Sequence, residues 1–106
     1  MAKYLFQVNF TEAGLKGLMK EGGTKRVEAL TAAAKSLNGK LEAYYFALGE
    51  RDAYLILDFP DNVSVSALAL VANSAGTAQV STTVLITPEE VDKAVKMNPA
   101  YRAPGQ

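Results

Sequence analysis

The chain has 106 residues, enough for one domain with a thin core. Lysine plus arginine equals aspartate plus glutamate at 11 each, a neutral balance that argues against a nucleic-acid or anionic-membrane partner and leaves little self-repulsion to keep copies apart. Cysteine and histidine are absent, which removes disulfides, thiolate nucleophiles, the commonest metal ligand and the commonest base near neutral pH; no metal site and no cofactor are expected.

Met1-Ala2-Lys3 leads straight into a strand pattern without a signal-peptide core, and no apolar run approaches the ~20 residues that span a bilayer. A cytoplasmic location is the expectation. From Lys3 to Phe10, Tyr4, Phe6, Val8 and Phe10 alternate with Leu5, Gln7 and Asn9, a period of two that predicts a strand. Thr11 is placed to cap a short helix through Leu15, Leu18 and Met19. Gly14 and Gly17 each weaken that helix by roughly 1 kcal/mol relative to alanine. Gly22-Gly23 ends it, and Thr24 is the expected cap of a second helix striped by Val27, Leu30, Thr31, Ala34 and Leu37. Asn38-Gly39 closes this helix, with Gly39 expected to take a left-handed cap.

Lys40–Leu48 and Ala53–Phe59 are the next strands. Asp61 or Asn62 then caps a helix with Val65, Leu68, Ala69, Ala72 and Ala75 on one face, ending at Gly76. The β-branched run Thr77–Ile86 is the fourth strand. Thr87-Pro88-Glu89-Glu90 has the form of a cap, a proline at the first helical position and acids in the first turn; the short helix it opens runs to about Met97. Residues 1–97 form the expected single domain, and 98–106, with Pro99, Pro104 and Gly105, a C-terminal tail. The order βαββαβ, with one extra helix after the first strand and one at the end, predicts a ferredoxin-like α+β sandwich with a four-stranded antiparallel sheet. A doubly wound α/β fold fits poorly beside the obvious central hairpin.

Helices cover only one face of such a sheet. Tyr4, Phe6, Val8 and Phe10 are expected beneath them. The other face offers Leu5, Gln7 and Asn9, with Glu42, Tyr44 and Phe46, then Tyr54, Ile56 and Asp58, then Ser81, Thr83 and Leu85, although the sides of the two middle strands depend on register. Leu5, Phe46, Ile56 and Leu85 together would form a patch that monomers avoid, so the chain is expected to pair with itself, as a homodimer or a higher homo-oligomer. Gln7, Asn9, Tyr44 and Asp58 would line the enclosed space as a small-molecule site, or hydrogen-bond one another within the interface.

Asp58, inside Leu55-Ile56-Leu57-Asp58-Phe59, is the best acid–base candidate, with an ion pair at a strand end as the structural alternative. Gly49-Glu50-Arg51-Asp52 is the hairpin tip. Glycine and aspartate suit a turn, while the opposed charges of Glu50 and Arg51 suit an assembly role at a neighbouring subunit. Lys16, Lys20, Lys25 and Arg26 gather around Gly22-Gly23, where a helix start could hold an anion or simply be a solvated loop.

Gly14-Leu15-Lys16, Lys25-Arg26, Leu37-Asn38-Gly39-Lys40, Tyr45-Phe46, Gly49-Glu50-Arg51-Asp52 and Pro60-Asp61 together resemble the GYD domain family over nearly the whole chain. That family comprises small bacterial and archaeal proteins of unknown function, named for a Gly-x-Tyr-Asp hairpin, and Arg51 stands where its tyrosine falls. The family is similar to dimeric α/β-barrel proteins, and the resemblance implies a sheet-to-sheet dimer but no reaction. Two function classes remain open: a homo-oligomeric module that binds a small metabolite, or a cofactor-independent oxygenase or isomerase using tyrosines and acids.

Overall fold

The alternation along the N-terminal segment becomes strand β1 (Ala2–Phe10) in the computed structural model, which describes residues 1–106. Tyr4, Phe6 and Val8 are buried, while Leu5, Gln7 and Asn9 are only partly covered. Helix α1 (Glu12–Glu21) begins at Thr11, whose Oγ1 accepts the Gly14 N–H at 3.2 Å. Gly22 (φ 85°) ends α1 and also caps helix α2 (Gly23–Ser36). Thr24, the expected cap, lies instead in the first turn of α2, because a glycine in a left-handed backbone turns the chain between the helices without a spacer. At the other end of α2 it is Asn38, not Gly39, that takes the left-handed conformation (φ 60°). Gly39 serves a different need: a Cβ there would stand 2.6 Å from the Phe59 ring.

Strand β2 (Lys40–Phe46) stops two residues short of Leu48, and β3 (Ala53–Phe59) returns beside it. Asp61 caps helix α3 (Asn62–Ser74), its Oδ1 accepting the Ser64 N–H at 2.9 Å. Strand β4 (Ala78–Leu85) leads to helix α4 (Pro88–Val95). At the start of α4, Thr87 Oγ1 accepts the Glu90 N–H at 3.1 Å and Glu90 Oε1 accepts the Thr87 N–H at 2.8 Å, a reciprocal capping box.

The sheet is antiparallel throughout, in the order β2-β3-β1-β4, the ferredoxin-like α+β arrangement. Helices α2 and α3 cover one face. Tyr4, Phe6, Leu55, Leu57 and Phe59 supply the sheet side of the core, and Ala34, Val65 and Leu68 the helix side. The buried Tyr4 hydroxyl donates to Asn62 Oδ1 at 2.6 Å, tying β1 to the start of α3.

Strand β2 carries a bulge. Leu41 stands opposite Leu57 and Ala43 opposite Ile56, so Glu42 is an extra residue with no partner of its own. Beyond it the sides are exchanged: Tyr44 and Phe46 turn toward the helices, and Ala43 and Tyr45 turn away.

Helix α4 has no buried residue, and Val91, Val95 and Met97 are exposed. The radius of gyration is 16.9 Å and the longest axis 57 Å, against about 13 Å for a compact chain of this length, so α4 and the residues after it stand off the body. No helix is long and apolar enough to cross a membrane.

Candidate functional site

Register settles what the uncovered face presents. Leu5 lies between Ile56 and Thr83, Gln7 between Tyr54 and Ser81, and Lys3 between Asp58 and Leu85. Asn9 faces Gln79, and Tyr45 stands beside Tyr54. Gln7, Asn9 and Asp58 are therefore on the open face, as their positions predict. Tyr44 is not. It lies beneath the helices, so the four expected site residues do not meet in one space. Phe46 has also crossed over and rests on α2, where a Cβ on Gly23 would come 3.0 Å from its ring. The Tyr44 and Phe46 rings pack together with centroids 4.9 Å apart. The bulge at Glu42 is the physical reason for both corrections. The apolar part of the open face is thus Leu5, Ile56, Leu85 and the rings of Tyr45 and Tyr54, without Phe46.

Asp58 is engaged. Its Oδ1 accepts from Lys3 Nζ at 2.9 Å, and the same ammonium reaches Glu42 Oε2 at 2.8 Å. The bulge lets Glu42 join this cluster from the end strand. Both bonds hold the Lys3 ammonium above its usual pKa, the one to Glu42 more than the one to Asp58. The arrangement is that of an ion pair at the end of a strand.

The hairpin tip is anchored through Asp52. The Ala47 N–H donates to the Asp52 carbonyl at 2.8 Å, and the Asp52 N–H to the Val8 carbonyl at 2.8 Å. The Asp52 carboxylate accepts the Phe10 N–H at 2.9 Å, so this side chain pins the hairpin to the end of β1. Gly49 has neither a left-handed backbone nor any atom within 4 Å of the place a Cβ would occupy, so the turn does not require glycine there. Glu50 and Arg51 take no part in the chain's four ion pairs.

Of the basic residues near Gly22-Gly23, Lys16 pairs with Glu12 at 3.3 Å on the exposed side of α1. Arg26 turns elsewhere. It lines a cleft of about 240 Å³ over the sheet, between α2 and α3. Phe6, Val8 and Leu55 form the sheet side, with Leu30 from α2 and Leu68 and Val71 from α3. Of the sixteen lining residues fourteen are hydrophobic, and the other two are Arg26 and Thr77. Arg26 Nη1 stands 3.8 Å from Glu21 Oε1, beyond hydrogen-bond length. Its Nε is closed off from solvent and has no acceptor, a condition that costs on the order of 1–3 kcal/mol. The half-buried Tyr44 also lines the cleft; burial raises its hydroxyl pKa and the Arg26 charge opposes that rise.

Sequence reasoning missed this cleft. Its trace is the run of alanines on facing helices, Ala29 and Ala33 on α2 and Ala72 on α3, whose small side chains leave volume unfilled.

The family model for the GYD domain matches residues 4–95, from the third residue of β1 to the last residue of α4. No curated protein and no solved structure matches the chain. The match takes in the open face, the hairpin and both walls of the cleft, and the chain belongs to the GYD domain family.

Proposed function

We propose that this chain is a homo-oligomeric module whose basic unit is a pair of copies meeting by their open sheet faces. One observation carries the reading: a continuous sheet face with no helix upon it, centred on Leu5 and Ile56 and flanked by Tyr45, Tyr54 and Leu85. Apolar area of this kind leaves water when a second copy covers it. The neutral charge balance supports the approach of like copies. Gln7 and Asn9 then serve as hydrogen-bonding groups within the interface, and the Lys3 cluster fixes the strand ends. The oxygenase or isomerase reading asks Asp58 and a tyrosine hydroxyl to converge in a closed pocket; Tyr44 lies on the other side of the sheet, and the Asp58 carboxylate is engaged by Lys3. Assembly is the reading the face supports better.

The test is sedimentation of the full chain at low micromolar concentration, beside an Ile56→Asp variant. The parent is expected at a multiple of 11.3 kDa and the variant at lower mass, because an aspartate in the contact would leave a buried charge unpaired. A folded parent sedimenting at the single-chain mass would overturn the proposal.

A further inference from the structure

We infer that the cleft between α2 and α3 is a binding site for a small apolar monocarboxylate, with Arg26 as the residue that holds its acid group. The site lies on the side of the sheet opposite the proposed pairing face, so neither role depends on the other.

Three observations lead there. The wall is apolar almost throughout, which suits a hydrocarbon body and gives a polar solute no partners. The single charged lining residue is an arginine whose Nε is shut away from water and unbonded, while the nearest carboxylate, Glu21, stays 3.8 Å from its Nη1. A guanidinium presents its donors as a planar fork that matches the two oxygens of a carboxylate. An incoming acid group would meet the part of the Arg26 side chain that remains exposed, since Nε itself is closed off. The half-buried Tyr44 lines the same space beneath α2. With Glu21 already 3.8 Å from the lone cation Arg26, the site accommodates little further negative charge, which favours a monocarboxylate over a phosphate dianion. The volume of about 240 Å³ falls just below the roughly 300–1,000 Å³ of drug-sized sites. A short chain or a single ring is therefore the scale of the body.

The probe is octanoate, with octanamide as its uncharged counterpart, titrated into the full chain and followed by calorimetry and by methyl NMR. Octanoate is expected to bind saturably and at least about tenfold more tightly than octanamide, the worth of one well-formed charged hydrogen bond. Shifts are expected at Leu30, Leu68 and Val71, not at Leu5 or Leu85. Arg26→Gln should bring octanoate down to the affinity of the amide and leave the amide unchanged. Arg26→Lys, which keeps the charge without the fork, should retain only part of the preference, and it answers the question if the glutamine variant fails to fold. The inference is overturned if the parent shows no saturable octanoate binding, if acid and amide bind alike, if the shifts fall on the open face, or if either folded Arg26 variant binds octanoate as the parent does.

Discussion

Gly14 and Gly17 lie three residues apart in one helix and answer to different constraints. A Cβ at Gly14 would collide with the Thr77 carbonyl, which already accepts the Thr11 N–H at 3.0 Å. At Gly17 nothing lies within 4 Å. Gly14→Ala should therefore destabilise the fold by roughly 1–3 kcal/mol, as overpacking does, while Gly17→Ala should stabilise it by up to about 1 kcal/mol through helix propensity. Thermal melting of the two variants would show opposite shifts, and shifts of the same sign would contradict the contact. Asp52 and Gly49 form a similar contrast. Asp52→Ala strips the Phe10 N–H of its acceptor at a half-buried site, for a loss on the order of 1–3 kcal/mol, whereas Gly49→Ala should leave the melting temperature close to the parent's. In the sequence the two helix glycines look alike, and the hairpin glycine looks more necessary than it is. Close approach between distant segments is invisible until the chain is folded.

The helices illustrate what local chemistry can announce by itself. Thr11, Asp61 and Thr87 each cap the helix that follows because the partner N–H is three residues away, within one turn, so these starts are legible in the sequence. Two of the three starts depend on a charged group. The Asp61 carboxyl is held below its ordinary value of 3.8 chiefly by the Ser64 backbone N–H, and the Glu90 carboxyl below 4.5 chiefly by the Thr87 backbone N–H. A depressed folded-state pKa contributes stability that is whole above the ordinary value and is lost as the pH falls through the lower native one. Acidification below 4.5 and then below 3.8, toward the lower native values, should accordingly speed amide exchange at Thr87 and Ser64, relative to the chemical exchange rate. Gly14, capped by a neutral hydroxyl, is the internal control and should show no comparable loss of protection. Equal loss at all three amides would indicate general unfolding instead. Strand sides are less legible than helix starts. The bulge at Glu42 follows from pairing with β3, and no period along β2 marks it. The cleft is harder still, since it consists of what Ala29, Ala33 and Ala72 fail to fill.

At the scale of the molecule, the two faces of the sheet make opposite demands on substitution. Phe46 rests against α2 at Gly23, so Phe46→Asp should lower the melting temperature at any protein concentration. Leu85 stands on the open face beside Lys3, so Leu85→Asp should act through assembly, with a deficit that shrinks for a chain studied where the parent is already dissociated. Arg51→Ala at the hairpin tip should weaken association by no more than about 1 kcal/mol and chiefly at low salt, as screened surface charges do. Melting and sedimentation across a dilution series separate these outcomes. The bulge that assigns those faces also bears on descent. Tyr44 and Phe46 on one side of β2, and Ala43 and Tyr45 on the other, are alike enough in apolar character that either pair could be covered. The pairing with β3, not their kind, decides between them. Loss of the single codon for Glu42 would close the bulge and leave Leu41 opposite Leu57 and Ala43 opposite Ile56, so Tyr44 would stay beneath the helices and tyrosine nitration would still mark Tyr45. A lineage could in this way shed one carboxylate of the Lys3 cluster in one step without changing which residues the two faces of the sheet offer.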